Sequence, residues 1–369
     1  MKYKLGDVLL KYIRGPFGSA LKRPEMKDHG IPVYEQQNAI YNHREFRYFV
    51  DEEKYNELKR FTVETGDLII SCSGTLGKVS LIKGNDPKGI ISQALLILRP
   101  NTNIILPEYL YYFFSSKYGY NSLVSRSSGS VQVNMAKREV IEGIEMNIPS
   151  LEVQKEIIQI LNKLDGKINV NSQINNNLLE LSKQLYMNTF SDNSDFEEIK
   201  LGELCNIKYG KGLPTTKILD NGYPVYGGNG IIGYYDSKMY DESQVLISCR
   251  GAASGKVILS KPNSFVTNNS LILEVDRLYH HYLKEYCFLN PFYAYTTGSA
   301  QPQITIDNIK DIIVKIPDSK TLEEFNYKCE AIERKYFLNI EQNETLEQLR
   351  DTLLPKLMNA EIDLDNIEI

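Results

Sequence analysis

The 369-residue sequence contains no tryptophan, four histidines and five cysteines. The cysteines are odd in number and include no C-x-x-C pair. That excludes a disulfide framework and a zinc–thiolate site, and fits reduced core thiols in a cytoplasm. His29, His43, His280 and His281 show no metal-ligand spacing, so the sequence assigns no metal. No apolar run approaches ~20 residues, which excludes a membrane-spanning helix. The opening MKYKLGDVLL lacks the apolar core of a secretion signal. No Ser/His/Asp or paired-carboxylate set stands out, and none of these absences points to an enzyme. Excess positive charge is also missing, since the net charge is −5. Its distribution says more: +4 over residues 1–149, 0 over 150–190, −3 over 191–318 and −6 over 319–369. A globally acidic chain can still carry basic faces.

What is present is a repeat. VLISCRGAASGKVIL (Val245–Leu259) echoes DLIISCSGTLGKVSL (Asp67–Leu81) with one residue inserted. The echo extends outward. Leu5-Gly6-Asp7 matches Leu201-Gly202-Glu203, and Pro32-Val33-Tyr34 matches Pro224-Val225-Tyr226. Gly129-Ser130-Val131-Gln132 matches Gly298-Ser299-Ala300-Gln301, and Ile148-Pro149 matches Ile316-Pro317. A copy of this size is a domain, not a solenoid unit.

After each Ile-Pro the pattern turns helical. Ile157, Leu161, Leu164, Ile168, Asn171, Asn175, Leu178, Ser182 and Leu185 step alternately by four and three, a heptad seam. Phe325, Cys329, Ile332, Tyr336, Asn339, Asn343, Leu346, Arg350 and Leu353 repeat it without a gap. Thr321-x-x-Glu324 reads as a capping box opening the second helix, and Pro355 as its end. Each helix could pack on its own globule, or the two could pair. Two Asn in mid-seam favour pairing, since a buried Asn fixes register when it meets a polar partner. Parallel pairing would force residues 191–318 to bridge back about 42 Å. Antiparallel pairing needs no bridge, so a globule at each end of a helical rod is expected. The expected organisation is a mixed α/β (α+β) fold with a pseudo-two-fold repeat. Its parts are head one over 1–149, a central helix over 150–190, head two over 191–318, a distal helix over 319–358 and a tail over 359–369.

Two unlike heads on a helical rod suit a reader of two unlike DNA half-sites. Over nearly its whole length the chain also resembles the specificity subunits of type I restriction–modification systems. The resemblance is carried by KLGDV and KLGEL at the head starts and by GDLIISCSGTLGKVSLI and QVLISCRGAASGKVIL in the cores. GSVQ and GSAQ near the head ends add to it. IPSLEVQKEIIQILNKLDGKI and ETLEQLRDTLLPKLMNAEI look like the family's central and distal conserved regions. The resemblance implies two target-recognition domains reading a bipartite double-stranded DNA site, with the helices setting the spacer. It implies two modification subunits that bind S-adenosylmethionine and methylate adenine. It also implies restriction subunits that translocate and cleave with ATP and Mg, and no cofactor or catalytic group on this chain.

Phosphate contacts need Lys, Arg and amide donors, and base readout needs Arg, Lys, Asn and Gln on reachable loops. In head one the candidates are Arg14, Lys22, Arg23, His43, Arg44, Arg47, Arg126, Gln132 and Asn134. In head two they are Lys208, Lys211, Lys217, Asn229, Arg250, Gln301 and Gln303. Gln132 and Gln301 recur at equal repeat positions, which suggests a shared structural or phosphate role. Residues that choose different bases should differ between heads, so Arg44, Arg47 and Arg250 are the better candidates for specificity. GAASGKV (Gly251–Val257) is one residue short of a phosphate loop and lacks its Ser or Thr, so a strand–turn–strand is expected. Asn290-Pro291-Phe292-Tyr293 lacks the second Pro of a methyltransferase loop. Two other readings remain open: a scaffold whose heads bind proteins, and a methyltransferase or nuclease acting alone.

Overall fold

The four-residue run Leu68–Ser71 is buried throughout, the mark of a strand covered on both faces. In the computed structural model, which describes residues 1–17, 20–124, 135–191, 196–298, 301–358 and 361–362, that strand lies inside an antiparallel sheet. The sheet order is Leu9–Arg14, Leu95–Pro100, Leu68–Ser71, Val79–Leu81. Successive residues point to opposite faces. Leu68, Ile70, Leu96 and Leu98 join one apolar cluster, whereas Ile69, Leu95 and Ile97 join another. A three-stranded sheet encloses the second cluster. There Ile31–Tyr34 pairs antiparallel with Phe49–Val50 and parallel with Ile90–Ile91. Lys2–Lys4 and Glu145–Asn147 form a separate antiparallel ribbon.

Head two repeats this topology strand for strand. Its four-stranded sheet runs Cys205–Tyr209, Ser270–Val275, Val245–Ser248, Val257–Leu259. Its three-stranded sheet runs Gly230–Tyr235, Tyr223–Gly227, Phe265–Val266, and its ribbon joins Glu197–Lys200 to Ile313–Ile316. The repeat reaches individual hydrogen bonds. The Ser71 amide donates to the Lys78 carbonyl at 2.9 Å, as Ser248 does to Lys256 at 2.8 Å. The Cys72 amide donates to Ala94 at 2.8 Å, as Cys249 does to Asn269 at 2.9 Å. Each GKV turn therefore closes a hairpin, as expected, and Asn290 lies beyond a helix end beside buried Phe292.

Glycine in that hairpin is required by conformation. Gly77 and Gly255 take φ of +73° and +93°, and a Cβ on Gly255 would stand 2.6 Å from the Tyr293 amide nitrogen. Left-handed backbone costs an L-residue roughly 1–2 kcal/mol before any clash. Gly255→Ala is therefore expected to lower stability by about 2 kcal/mol or more. Denaturant unfolding checks this, and an unchanged midpoint would refute it.

The long helices span Leu151–Thr189 and Ser319–Met358. Contacts divide the chain into two units, Met1–Asn169 with Asn343–Ile369, and Val170–Gln342, so each unit owns part of both helices. In the first unit the Asn343 amide donates to the Ile168 carbonyl at 3.3 Å and Arg350 donates to Asp165 at 3.0 Å. In the second, Asn171 donates to Gln342 at 2.8 Å, Asn339 to Asn175 at 2.8 Å and Asn175 to the Tyr336 carbonyl at 3.1 Å. Within each unit one partner number falls as the other rises, so the pairing is antiparallel. Every seam position is buried or half-buried, including Leu164, Leu178, Leu185, Ile332, Leu346 and Leu353. The mid-seam Asn are matched by polar partners, as register selection requires.

The two packing alternatives are both realised. Ile157, Leu161, Leu354 and Leu357 belong to the core of head one, and Phe325 and Cys329 to that of head two. Two end signals of the second helix differ from expectation. The second helix begins at Ser319, because the Asp318 carboxylate accepts the Thr321 amide (3.0 Å) and hydroxyl (2.6 Å). Pro355 does not end it: the helix runs to Met358, with Leu354 and Leu357 only 2% and 3% exposed. Their burial holds the last turn despite the amide that proline removes.

Candidate nucleic-acid interface

Strand direction decides which loops meet. In head two, Cys205–Tyr209, Tyr223–Gly227, Val245–Ser248 and Phe265–Val266 all end at one edge of the sheets, where Val257–Leu259 and Ser270–Val275 begin. Lys211 follows the first strand, and its amide donates to the Val266 carbonyl at 3.0 Å. Asn229 sits in the tight turn after Gly227 and accepts the Lys256 ammonium at 2.7 Å. Arg250 bridges to Gln303, and the Gly251 amide donates to the Pro302 carbonyl at 2.9 Å. The structure thus gathers Lys211, Asn229, Arg250, Gln301 and Gln303 at one edge. It adds Lys256, Asn268 and Asn269, which were not singled out from sequence. Lys256 was visible as the Gly-Lys-Val of the repeat, but the Asn268-Asn269 turn carries no sequence signal of its own.

Head one builds the same edge from different side chains. Arg14 ends its strand, and the Gly15 amide donates to the Leu95 carbonyl at 2.9 Å, as Gly210 does to Ser270 at 3.1 Å. The Gln36 amide donates to the Thr75 carbonyl at 3.2 Å, fastening the first hairpin turn. Ser73 stands where head two has Arg250, and Gln93 where it has Asn268. The Met135 amide donates to Cys72 at 3.2 Å, the counterpart of Ile304 to Cys249 at 3.0 Å. Arg126, Gln132 and Asn134 lie outside the described residues. Lys22, Arg23 and Lys217 are exposed on short 3-10 turns that flank the starts of Ile31–Tyr34 and Tyr223–Gly227, not the edge where those strands end.

Charge partners separate the cations further. Arg44 is held inside head one. Its guanidinium meets Asp86 at 2.8 Å, the Leu81 carbonyl at 2.8 Å and the Ser80 hydroxyl at 3.2 Å. Beside it the His43 ring stacks on Tyr41 and its carbonyl accepts from Arg44. Arg47 forms a two-pronged pair with Glu35, both bonds 2.9 Å, and Lys208 pairs with Glu274 at 2.6 Å. Among the described residues Arg14, Lys78, Lys211, Arg250 and Lys256 have no carboxylate partner, so their charge is available to an anion. Such cations beside amide side chains suit phosphate neutralisation and base-edge hydrogen bonding.

Among the described residues no helix is long and apolar enough to cross a membrane. A family profile described as "Type I restriction modification DNA specificity domain" matches residues 1–180 and 193–344. The type I restriction enzyme MjaIX specificity subunit of Methanocaldococcus jannaschii is 23% identical over 345 residues, covering 82% of this chain and 79% of its own length. The EcoprrI specificity subunit of Escherichia coli is 23% identical over 272 residues, covering 68% and 67%. The S subunit of a type I restriction–modification system from M. genitalium superposes with a TM-score of 0.57 at 17% identity, over 97% of this chain and 96% of that one. The repeat, the shared topology and the two matched edges find their common explanation here: the chain belongs to the family of type I restriction–modification specificity subunits, which recognise DNA target sequences.

Proposed function

We propose that each head reads one short part of a bipartite duplex target through the loops of its sheet edge. The chain itself carries no catalytic group. Methyl transfer to adenine from S-adenosylmethionine belongs to two modification subunits, and ATP- and Mg-dependent cleavage to restriction subunits. The observation that carries this reading is one hydrogen-bonded frame, built twice, that presents unlike side chains at the same edge. A shared frame positions two surfaces equally, while the exchange of Arg250 for Ser73 and of Asn268 for Gln93 makes them select different sequences.

The test assembles the full chain with a modification subunit and maps the adenines methylated in a random duplex library. A two-part consensus is expected, and no methyl transfer by the chain alone. Arg250→Ala is expected to relax one position in one half by about 1–3 kcal/mol and to leave the other half unchanged. Its folding stability should move by no more than about 0.5 kcal/mol, since the side chain is exposed. A single continuous consensus, or equal relaxation of both halves, refutes the reading.

A further inference from the structure

We propose that His280, His281 and Glu333 form a site for a first-row divalent cation of the Zn²⁺ class, tying the head-two helix Arg277–Leu289 to the second long helix. All three residues lie in the second unit. One ligand atom from each falls within 4.8 Å of the others. His280 Nε2 is 4.0 Å from Glu333 Oε1, and His281 Nδ1 is 3.4 Å from Glu333 Oε2. Ligands about 2.0–2.1 Å from a tetrahedral zinc stand roughly 3.4 Å apart, so a small contraction closes the set. The cluster lines a cavity of about 240 Å³, which leaves room for water as the fourth ligand.

The second observation is an orphan. His281 is only 7% exposed, and its Nδ1 has no hydrogen-bond partner although it faces the Glu333 carboxylate. A buried ring nitrogen this close to a carboxylate but outside hydrogen-bond geometry is poorly satisfied, and a cation between the two would engage both. The Ser243 hydroxyl reaches Glu333 Oε1 at 2.6 Å and His280 Nε2 at 3.3 Å, so it already draws these two prospective ligand atoms toward one point, and it keeps Glu333 alone when the cation takes Nε2. Lys284 lies 3.3 Å from Glu333 Oε2 and 3.2 Å from Glu285, away from the His280–Ser243 side of the carboxylate. Oε2, which His281 Nδ1 also faces, would thus be shared by the ammonium and the cation, and the ammonium keeps Glu285 as its second partner.

Zn²⁺ alone, titrated into the metal-stripped full chain, is the test, with Co²⁺ as the optical probe. One equivalent is expected to bind and to raise the unfolding temperature by mass action. The Co²⁺ spectrum should lack a thiolate charge-transfer band, which separates this site from the five buried cysteines. His280→Ala is expected to weaken binding at least about 100-fold, and Ser243→Ala about 10-fold. Replacing His29 and His43 together should leave binding unchanged. If His281→Ala fails to fold, His280→Ala, whose ring borders the cavity, decides the matter. Absence of stoichiometric binding, a thiolate band, or equal affinity in His280→Ala and the parent overturns the site.

Discussion

Arg99→Met is expected to remove about 3–5 kcal/mol of stability from the first unit. Arg99 donates from Nε to Asp67 Oδ1 at 2.7 Å and from Nη2 to Oδ2 at 2.8 Å. The Asp67 side chain is fully buried and that of Arg99 is 11% exposed. Burial pushes the Asp67 carboxyl up even with the guanidinium beside it, so the pair offers little net gain over apolar neighbours. Removing the cation alone is what costs, because the buried carboxylate is then left charged without a counter-ion, or must take up a proton. Asp67→Asn combined with Arg99→Met should recover most of the loss, since Asn keeps an acceptor for the Glu64 amide that now donates at 2.7 Å. Chemical denaturation of the two singles and the double completes the cycle. A single-variant loss below about 1 kcal/mol would show that the pair is already screened by water. Head two has no copy of this pair: Gln244 and Glu274 occupy the equivalent positions, and Glu274 turns to Lys208, Tyr240 and Asn206.

Phe325→Ala is expected to cost the second unit about 3–5 kcal/mol, as full truncation of a core aromatic does. Phe325 is 1% exposed, with ring centroids 5.0 Å from Phe190 and 6.2 Å from Tyr186. Phe190 in turn meets Tyr282 of the head-two helix at 4.9 Å. One seam position therefore closes both the helix pair and the head core, and the cavity left by Ala opens at their junction. Phe325→Leu should lose less. Truncating half-buried Leu346 in the helix pair should also cost less, because it leaves less buried volume empty. Comparable losses for Phe325→Ala and Leu346→Ala would mean that the aromatic cluster contributes nothing beyond the seam.

Much of this architecture was legible before any coordinates. The four-and-three spacing from Ile157 to Leu185 and from Phe325 to Leu353 foretold which helix face is covered. The recurring Gly-Lys-Val foretold the hairpins, because a tight turn with positive φ leaves a glycine behind. The signals at the helix ends were read less well. Thr321 looked like the cap and proved to be the residue that Asp318 caps, since the two roles use similar residue types three positions apart. Pro355 looked like a stop, but the burial of Leu354 and Leu357 outweighed its missing amide.

Site residues divided by partner rather than by type. Arg44 and Arg250 are alike as letters, yet one is fastened to Asp86 and the other stands exposed beside Gln303. Local periodicity governs the repeat, the paired helices and the turns, and the amino-acid order alone determined those. Ion pairing and ligand geometry depend on side chains that meet only when distant segments fold together. Tertiary structure alone decided which of the described cations lack a carboxylate partner and that Glu333 lies against His280 and His281.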